Sequence, residues 1–291
     1  MNAAVIIGGG PAGCQCALWL SMLGYKAIIV EQSDRLGGLQ ASSPYQNNWM
    51  LGVMHLTGRE YAKHIQQHIE WMNIPVFFNQ TPTHIQSLST GFTVQLSDKV
   101  IDAYNVVIAT GVKPCRDYFS ESADTIIGPG QRIFDFDFAN KRVAILGGGD
   151  NAAENYDLIQ QQKPTACHVY TRTIRARKSL WGLVHPEDVY LFPYDVDQAA
   201  KTITHQGETR RYDVIIVLYG WEANFPSCLL SLESVLRDDR GFIATDMYCR
   251  TPVAGIYAIG EVANRMHPCV TTAMADGVVA AKAIQEDMDK K

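Results

Sequence analysis

Residues Ala3–Gly13 read AAVIIGGGPAG, and CQCALWLSMLG follows from Cys14 to Gly24. An apolar, partly β-branched run entering Gly8-x-Gly10-x-x-Gly13, with a helix-forming segment behind it, is strand, tight turn and helix in that order. Gly8 permits the turn, Gly10 lets backbone approach a pyrophosphate, and Gly13 lets the helix pack on the strand. Pro11 and Ala12 open that helix, whose unpaired N–H groups and partial positive charge suit a phosphate. A second apolar strand, Lys26–Val30, ends in Glu31, where a carboxylate can accept from ribose hydroxyls. A glycine-rich turn alone would be a weak signal; strand, helix and terminal acid together make a dinucleotide-binding unit.

The pattern recurs half a chain later. Arg142–Leu146 reads as a strand, Gly147-Gly148-Gly149-Asp150-Asn151-Ala152 as the loop, and Ala153–Gln160 as the helix. Two such loops imply an α/β chain with two Rossmann-like dinucleotide-binding domains. Here the following strand, Ala166–Tyr170, ends without an acid, and Arg172, Arg175 and Arg177 come next. A carboxylate would repel a 2′-phosphate, whereas guanidinium groups can grip one with paired hydrogen bonds. The second loop is therefore expected to take NADPH rather than NADH.

The bulk numbers agree with a two-domain globular protein: 291 residues, 47% hydrophobic and 19% charged. A net charge of -5 leaves no basic footprint for nucleic acid or an anionic membrane. The N-terminal apolar run is broken by Gly8 and lacks a basic flank, so neither a signal peptide nor a membrane span is expected, and the expected location is cytoplasmic. The seven cysteines, Cys14, Cys16, Cys115, Cys167, Cys228, Cys249 and Cys269, are scattered and nowhere spaced C-x-x-C. Neither a disulfide framework nor a metal site is expected.

In order along the chain, further segments join these loops: Arg35-Leu36-Gly37-Gly38-Leu39, Asn47-Asn48-Trp49, Val106-Val107-Ile108-Ala109-Thr110-Gly111, Lys113-Pro114, and Gly255–Glu261 with its Gly260-Glu261 pair. With them the chain resembles the flavoproteins built from two dinucleotide domains, most closely the low-molecular-weight thioredoxin reductase branch, over essentially its whole length. The resemblance implies a three-layer ββα FAD/NAD(P)-binding fold, with FAD at the first loop and NADPH at the second. It implies a discontinuous FAD domain, residues 1–112 and 246–291, with an NADPH domain, 113–245, inserted. It places Gly38, Leu39, Asn48, the Ala109-Thr110-Gly111 strand end and Gly260-Glu261 around the flavin. It also implies a homodimer.

Two departures stand out. Glu261 replaces the aspartate usual in the family, adding a methylene. Met266-His267-Pro268-Cys269 stands where relatives carry an Arg-Gln pair reaching the isoalloxazine, ahead of a helix over Val270–Ile284 whose N-terminus would face the flavin. His267, Pro268 and Cys269 become flavin-side candidates on that basis.

A larger departure concerns the reactive dithiol. In thioredoxin reductases a C-x-x-C precedes the second glycine loop by a fixed distance; counting back from Gly147 puts Gly130 and Ile133 at those positions, within GPGQRIFDFDF (Gly128–Phe138). Neither can form a thiolate, so the relay through an exchangeable sulfur pair is missing. Phe134, Phe136 and Phe138 alternate with Asp135 and Asp137 at the period of a strand. Cys115 and Cys269 are the thiols expected near cofactors; for each, packing as a small hydrophobe competes with reactivity.

The leading expectation is an FAD-dependent NAD(P)H oxidoreductase passing electrons directly to a non-disulfide acceptor: a quinone, free flavin, dioxygen or a small electron-transfer protein. No side chain need act as a nucleophile, since the flavin carries the chemistry. Two alternatives remain open: a flavoprotein reduced by a protein partner such as ferredoxin with little use of NADPH, and a flavin-binding regulatory module without turnover.

Overall fold

The computed structural model describes residues 1–230, 237–263 and 267–290. The chain forms two units, Met1–Val112 with Glu222–Lys291, and Lys113–Trp221. Both are mixed α/β with parallel sheets.

In the first unit, β1 (Asn2–Ile7), α1 (Pro11–Met22), β2 (Ala27–Val30), α2 (Gly58–Trp71), β3 (Val76–Phe77), β4 (His84–Leu88), β5 (Gly91–Gln95) and β6 (Val100–Ile108) follow one another. The sheet order is β3-β2-β1-β6-β5-β4, and strand Ile256–Ala258 also pairs with β6. Strands β1, β2, β3 and Ile256–Ala258 run parallel to their neighbours, while β4–β5–β6 is an antiparallel meander. Ala3–Ile7 are buried on both faces, which explains an unbroken apolar run rather than an alternating one. One face packs Ile6 and Ile29 against Leu20 of α1 and Ala280 and Ile284 of the C-terminal helix Val270–Asp289. The other gathers Val5, Ile7, Val106 and Ile108 with Phe92 and Val94.

Register aligns the carboxyl ends of four strands. Ile7 pairs with Val30 and Ile108, and Ile108 with Ala258, so Gly8, Glu31, Ala109 and Ile259 emerge at one edge. Because β2 and β6 flank β1 on opposite sides, this edge is a topological switch point, where open α/β sheets hold ligands.

The second unit has a parallel sheet in the order Val189–Leu191, Ala166–Thr171, Arg142–Leu146, Val214–Val217, Thr125–Ile127. Helix Asp150–Gln160 follows the central strand, and Tyr194–Asp197, Thr202–His205 and Glu208–Arg211 form an antiparallel sheet.

Two expectations are corrected. Phe134–Phe138 is not a strand: Gln131–Asp135 is a short helix, and the chain becomes extended at Phe136. Ile133 and Phe138 are buried in the core of this unit while Phe134 is exposed, so burial does not follow the alternation of the phenylalanines. The second correction is the return to the first unit, which comes at Glu222 rather than 246. Cys228, Leu229 and Ile243 bury themselves with Val106 and Ile256, and that apolar burial ties the segment to the first sheet.

Candidate functional site

At the first glycine loop each glycine has a distinct steric reason. Gly8 has φ +111°, and a Cβ there would lie 2.4 Å from the Ala109 carbonyl oxygen, so the loop is pressed against the Ala109-Thr110-Gly111 turn. A Cβ at Gly13 would lie 2.0 Å from the Gly8 carbonyl oxygen, because the first turn of α1 packs directly on the strand end. At Gly10 the space is open: only the Cα of Gly38, 3.9 Å away, comes within reach of a Cβ. Pro11 is the first helical residue and Gly10 the N-cap, with no side-chain cap, so the helix N-terminus keeps backbone donors for a ligand.

Glu31 is buried, and Gly9 donates its N–H to Oε2 at 2.7 Å. Ser33 donates its N–H (2.8 Å) and hydroxyl (2.6 Å) to Oε1. Cys14 adds a further tie, donating its thiol to the Gly9 carbonyl at 3.2 Å. The loop is thus held in shape by an acid and a cysteine before any ligand arrives. The segment after β2 closes on it: Gly37 donates to the Gly9 carbonyl at 2.8 Å, and a Cβ at Gly38 would be 3.1 Å from the Gly10 Cα. Leu39, Asn48 and Trp49 are exposed, with Asn47 donating to the Gln40 carboxamide at 2.8 Å.

The Ala109-Thr110-Gly111 turn carries an orphan: Thr110 Oγ1 is buried with no hydrogen-bond partner among the described residues. Its carbonyl accepts from Asn224 Nδ2 at 3.2 Å, and Asn224 N–H donates to the Gly111 carbonyl at 2.9 Å. Near the C-terminus, Gly260 (φ +69°) donates its N–H to Asp276 Oδ2 at 3.1 Å. A Cβ on Gly260 would lie 3.0 Å from that of Ala12 and 3.7 Å from that of Ala273, so the first turns of α1 and the C-terminal helix meet there. Gly277 brings the helices closer still, its Cβ position lying 2.5 Å from the Ala12 carbonyl oxygen. Burial pushes the Glu261 carboxyl above its ordinary range.

Cys269 is the N-cap of the C-terminal helix: its N–H donates to Thr272 Oγ1 at 3.0 Å, and Sγ lies 3.4 Å from the same oxygen. Partial burial opposes ionisation of this thiol, but hydrogen bonds from the Thr272 side chain and the Thr272 and Thr271 backbone outweigh it and lower its pKa. His267 has φ +50°, and its carbonyl accepts from the Thr272 hydroxyl at 3.0 Å. Pro268 is exposed between them, and Met266 lies outside the described residues.

The residues at this edge fit a bound dinucleotide. The face of Gly10 is open, backbone donors of α1 remain free of a side-chain cap, and an unpartnered buried hydroxyl waits at Thr110. Asn224 and Asp276 escaped the sequence reading. Asp276 had a signal, the one charged residue in the stretch Val270–Ala281, directly before Gly277; Asn224 had none.

The second loop repeats the steric logic. Gly147 (φ +153°) would set a Cβ 2.4 Å from the Leu218 carbonyl oxygen, and Gly148 one 2.2 Å from Thr171 Oγ1. Nothing lies within 4 Å at Gly149. Ala152 is buried, Asn151 half-buried. The arginine segment is stitched to the loop, with Arg175 and Ala176 donating their N–H groups to the Gly148 carbonyl at 2.6 and 2.9 Å.

The three arginines separate. Arg177 donates from its backbone (2.8 Å) and its Nε (2.9 Å) to the two oxygens of Asp150, and its Nη2 lies 3.9 Å from Glu154. Asp150 thereby lies in the first turn of its helix, where a negative charge complements the helix dipole. Arg172 and Arg175 are exposed and form no ion pair among the described residues. Glu154 was not singled out from sequence; burial and the Asp150 charge raise its pKa against the opposing Arg177.

None of the seven cysteines is joined in a disulfide. Burial drives the Cys14, Cys16 and Cys167 thiols far above the ordinary range and Cys228 to about 11, leaving Cys269 exposed and Cys115 half-buried. Gly130 has φ +126° and ψ -150°, a conformation L side chains rarely adopt, and Ile133 is fully buried. Among the described residues no helix is long and apolar enough to cross a membrane.

The sequence matches family models described as pyridine nucleotide-disulphide oxidoreductase over residues 35–181, just over half of the chain, and over 193–277. A ferredoxin–NADP reductase of Limosilactobacillus fermentum is 28% identical over 278 residues, covering 88% of this chain and 84% of that one. The crystal structure of Lactococcus lactis thioredoxin reductase (FR conformation) superposes with TM-score 0.83 at 20% identity, covering 100% of both chains. That of T. acidophilum thioredoxin reductase gives 0.81 at 23%, covering 99% of both.

Proposed function

The chain belongs to the pyridine nucleotide-disulphide oxidoreductase family and is an FAD-dependent NAD(P)H oxidoreductase; from that premise we propose that it moves electrons between NADPH and a small redox protein without a disulfide relay. The observation that carries this is the segment before the second glycine loop, where Gly130 sits in a glycine-only backbone conformation and Ile133 is fully buried. A thiol pair at those positions has neither the backbone nor the access it needs. That the Limosilactobacillus fermentum relative is a ferredoxin–NADP reductase supports a protein acceptor of the one-electron class.

In this reading Gly8, Gly10 and the N-terminus of α1 hold the pyrophosphate of FAD, and Glu31, fixed by Gly9 and Ser33, accepts from its ribose. Thr110, Gly111 and the Gly260-Glu261 turn line the same strand edge, and Asp276 orients Gly260. The N-terminus of the C-terminal helix, capped by Cys269, offers partial positive charge toward the flavin ring, with His267 and Pro268 shaping its approach. The chemistry FAD would supply when held there is hydride acceptance and one-electron release. At the second loop Gly147 and Gly149 admit NADPH, and Arg172 with Arg175 takes the 2′-phosphate. A homodimer and a cytoplasmic location belong to the same reading, and sedimentation velocity tests the former.

Anaerobic mixing with NADPH tests the function: the yellow flavin absorbance bleaches, and reoxidation follows on adding a ferredoxin or flavodoxin. Bleaching by neither NADPH nor NADH contradicts the proposal.

A further inference from the structure

The carboxyl edge of the second sheet carries an exposed aromatic, Phe192. Thr171 pairs with Leu191 in parallel register, so the residues that leave the sheet side by side are Arg172 and Phe192. Phe192 donates its N–H to the Thr171 carbonyl at 2.9 Å, which fixes its backbone against the strand that leads into the arginine segment. Phe192 is 58% exposed. One edge of its ring meets Tyr194, ring centroids 5.9 Å apart at 74°. Arg172 and Phe192 thus leave paired strands as neighbours, with Tyr194 against the Phe192 ring. Ile174, between the two arginines, is exposed as well.

An aromatic face open to solvent beside Arg172, a guanidinium with no ion pair among the described residues, has the chemistry of a platform for a phosphorylated purine nucleoside. Every base offers a π-face for stacking, and the neighbouring cation fixes the phosphate. The position also suits it: ligands of open α/β sheets lie beyond the carboxyl ends of the strands, and the strand ending at Thr171 is the one after the glycine-loop helix. An exposed phenylalanine serving only the core would turn its face inward, as Phe119 and Phe138 do.

We propose that Phe192 is the stacking platform for the adenine of NADPH, with Arg172 beside it on the 2′-phosphate, so that one residue supplies affinity and the other discrimination. This rests on the proposed use of NADPH at the second loop.

The test uses the full chain and nucleotides that lack the nicotinamide, so that it reads binding rather than turnover. Adenosine 2′,5′-bisphosphate and adenosine 5′-phosphate are titrated calorimetrically. Phe192→Ala weakens both by about tenfold, and Phe192→Tyr restores both to within about twofold. Arg172→Ala weakens the bisphosphate alone. Phe192→Leu, which keeps an apolar side chain without a ring, reads the same loss should Phe192→Ala fail to fold. Wild-type binding of the bisphosphate with unchanged affinity in the Phe192 variants overturns the platform while leaving the NADPH reading intact. Binding of neither nucleotide by the wild type overturns both.

Discussion

Gly9 in the middle of the first glycine loop donates its backbone N–H to the buried carboxylate of Glu31 at 2.7 Å, so the acid that ends the second strand also braces the loop that precedes the first helix.

Glu31→Ala strips acceptors from Gly9 and from both donors of Ser33. Leaving buried donors unsatisfied costs about 1–3 kcal/mol. The purified variant is expected to show a lower FAD-to-protein ratio by absorbance and a lower melting midpoint, and Glu31→Gln, which retains one acceptor oxygen, an intermediate result. A Glu31→Ala protein with full FAD occupancy contradicts the assignment.

The arginines are expected to divide. With Arg177 engaged by Asp150 and Glu154, the double variant Arg172→Ala/Arg175→Ala loses charge-assisted hydrogen bonds to a 2′-phosphate, and the kcat/KM ratio of NADPH over NADH falls by about tenfold or more. Arg177→Ala lowers activity with both nucleotides together and leaves the ratio near its wild-type value, because its partners are the protein's own acids. Steady-state kinetics with the two nucleotides separates these outcomes.

Reinstating cysteines does not reinstate a dithiol. Gly130→Cys forces a side chain into φ +126°, and Ile133→Cys removes buried volume from a closed core. Each is destabilising by about 1–3 kcal/mol in urea denaturation. The double variant is expected to remain unable to reduce thioredoxin disulfide.

Acid sensitivity has a specific source in the first unit. Arg250 donates from Nε and Nη2 to Asp287 at 2.8 and 2.9 Å, and Tyr257 adds its hydroxyl at 2.6 Å. The Arg250 hydrogen bonds hold the Asp287 carboxyl below its ordinary range. The stabilisation is therefore complete above the ordinary carboxylate pKa and is lost as pH falls through the lowered folded value. Asp287→Asn is expected to lower the melting midpoint at neutral pH, by about 1.5–3 kcal/mol in stability, with the gap to wild type closing in acid. A gap that does not change with pH contradicts the assignment.

The glycine loops were legible because their constraint is local. Gly8, Gly13 and Gly147 are required by contacts that a strand-turn-helix makes with itself or with the neighbouring strand, and their spacing carries that requirement. The arginine segment was legible as charge but not as geometry: that Arg177 folds back on Asp150 depends on the Gly148 carbonyl capturing Arg175 and Ala176, a contact between separate loops. Phe134, Phe136 and Phe138 misled for a similar reason. Their alternation imitates a strand, yet Gly130 starts a helical turn and Ile133 supplies the buried contact. Nor does any pattern near Glu222 announce the return to the first unit, since the burial of Cys228, Leu229 and Ile243 is decided by residues distant in sequence.

The central claim is that electrons pass through this protein without entering a disulfide of its own, and a reductive titration counts them. The holoenzyme is titrated anaerobically with NADPH or dithionite while flavin absorbance and free thiols are followed. Complete reduction at two electrons per FAD, with the number of free thiols unchanged, is the result expected. Uptake of four electrons per FAD, with two new thiols appearing, would contradict the claim and place a redox-active disulfide in the path.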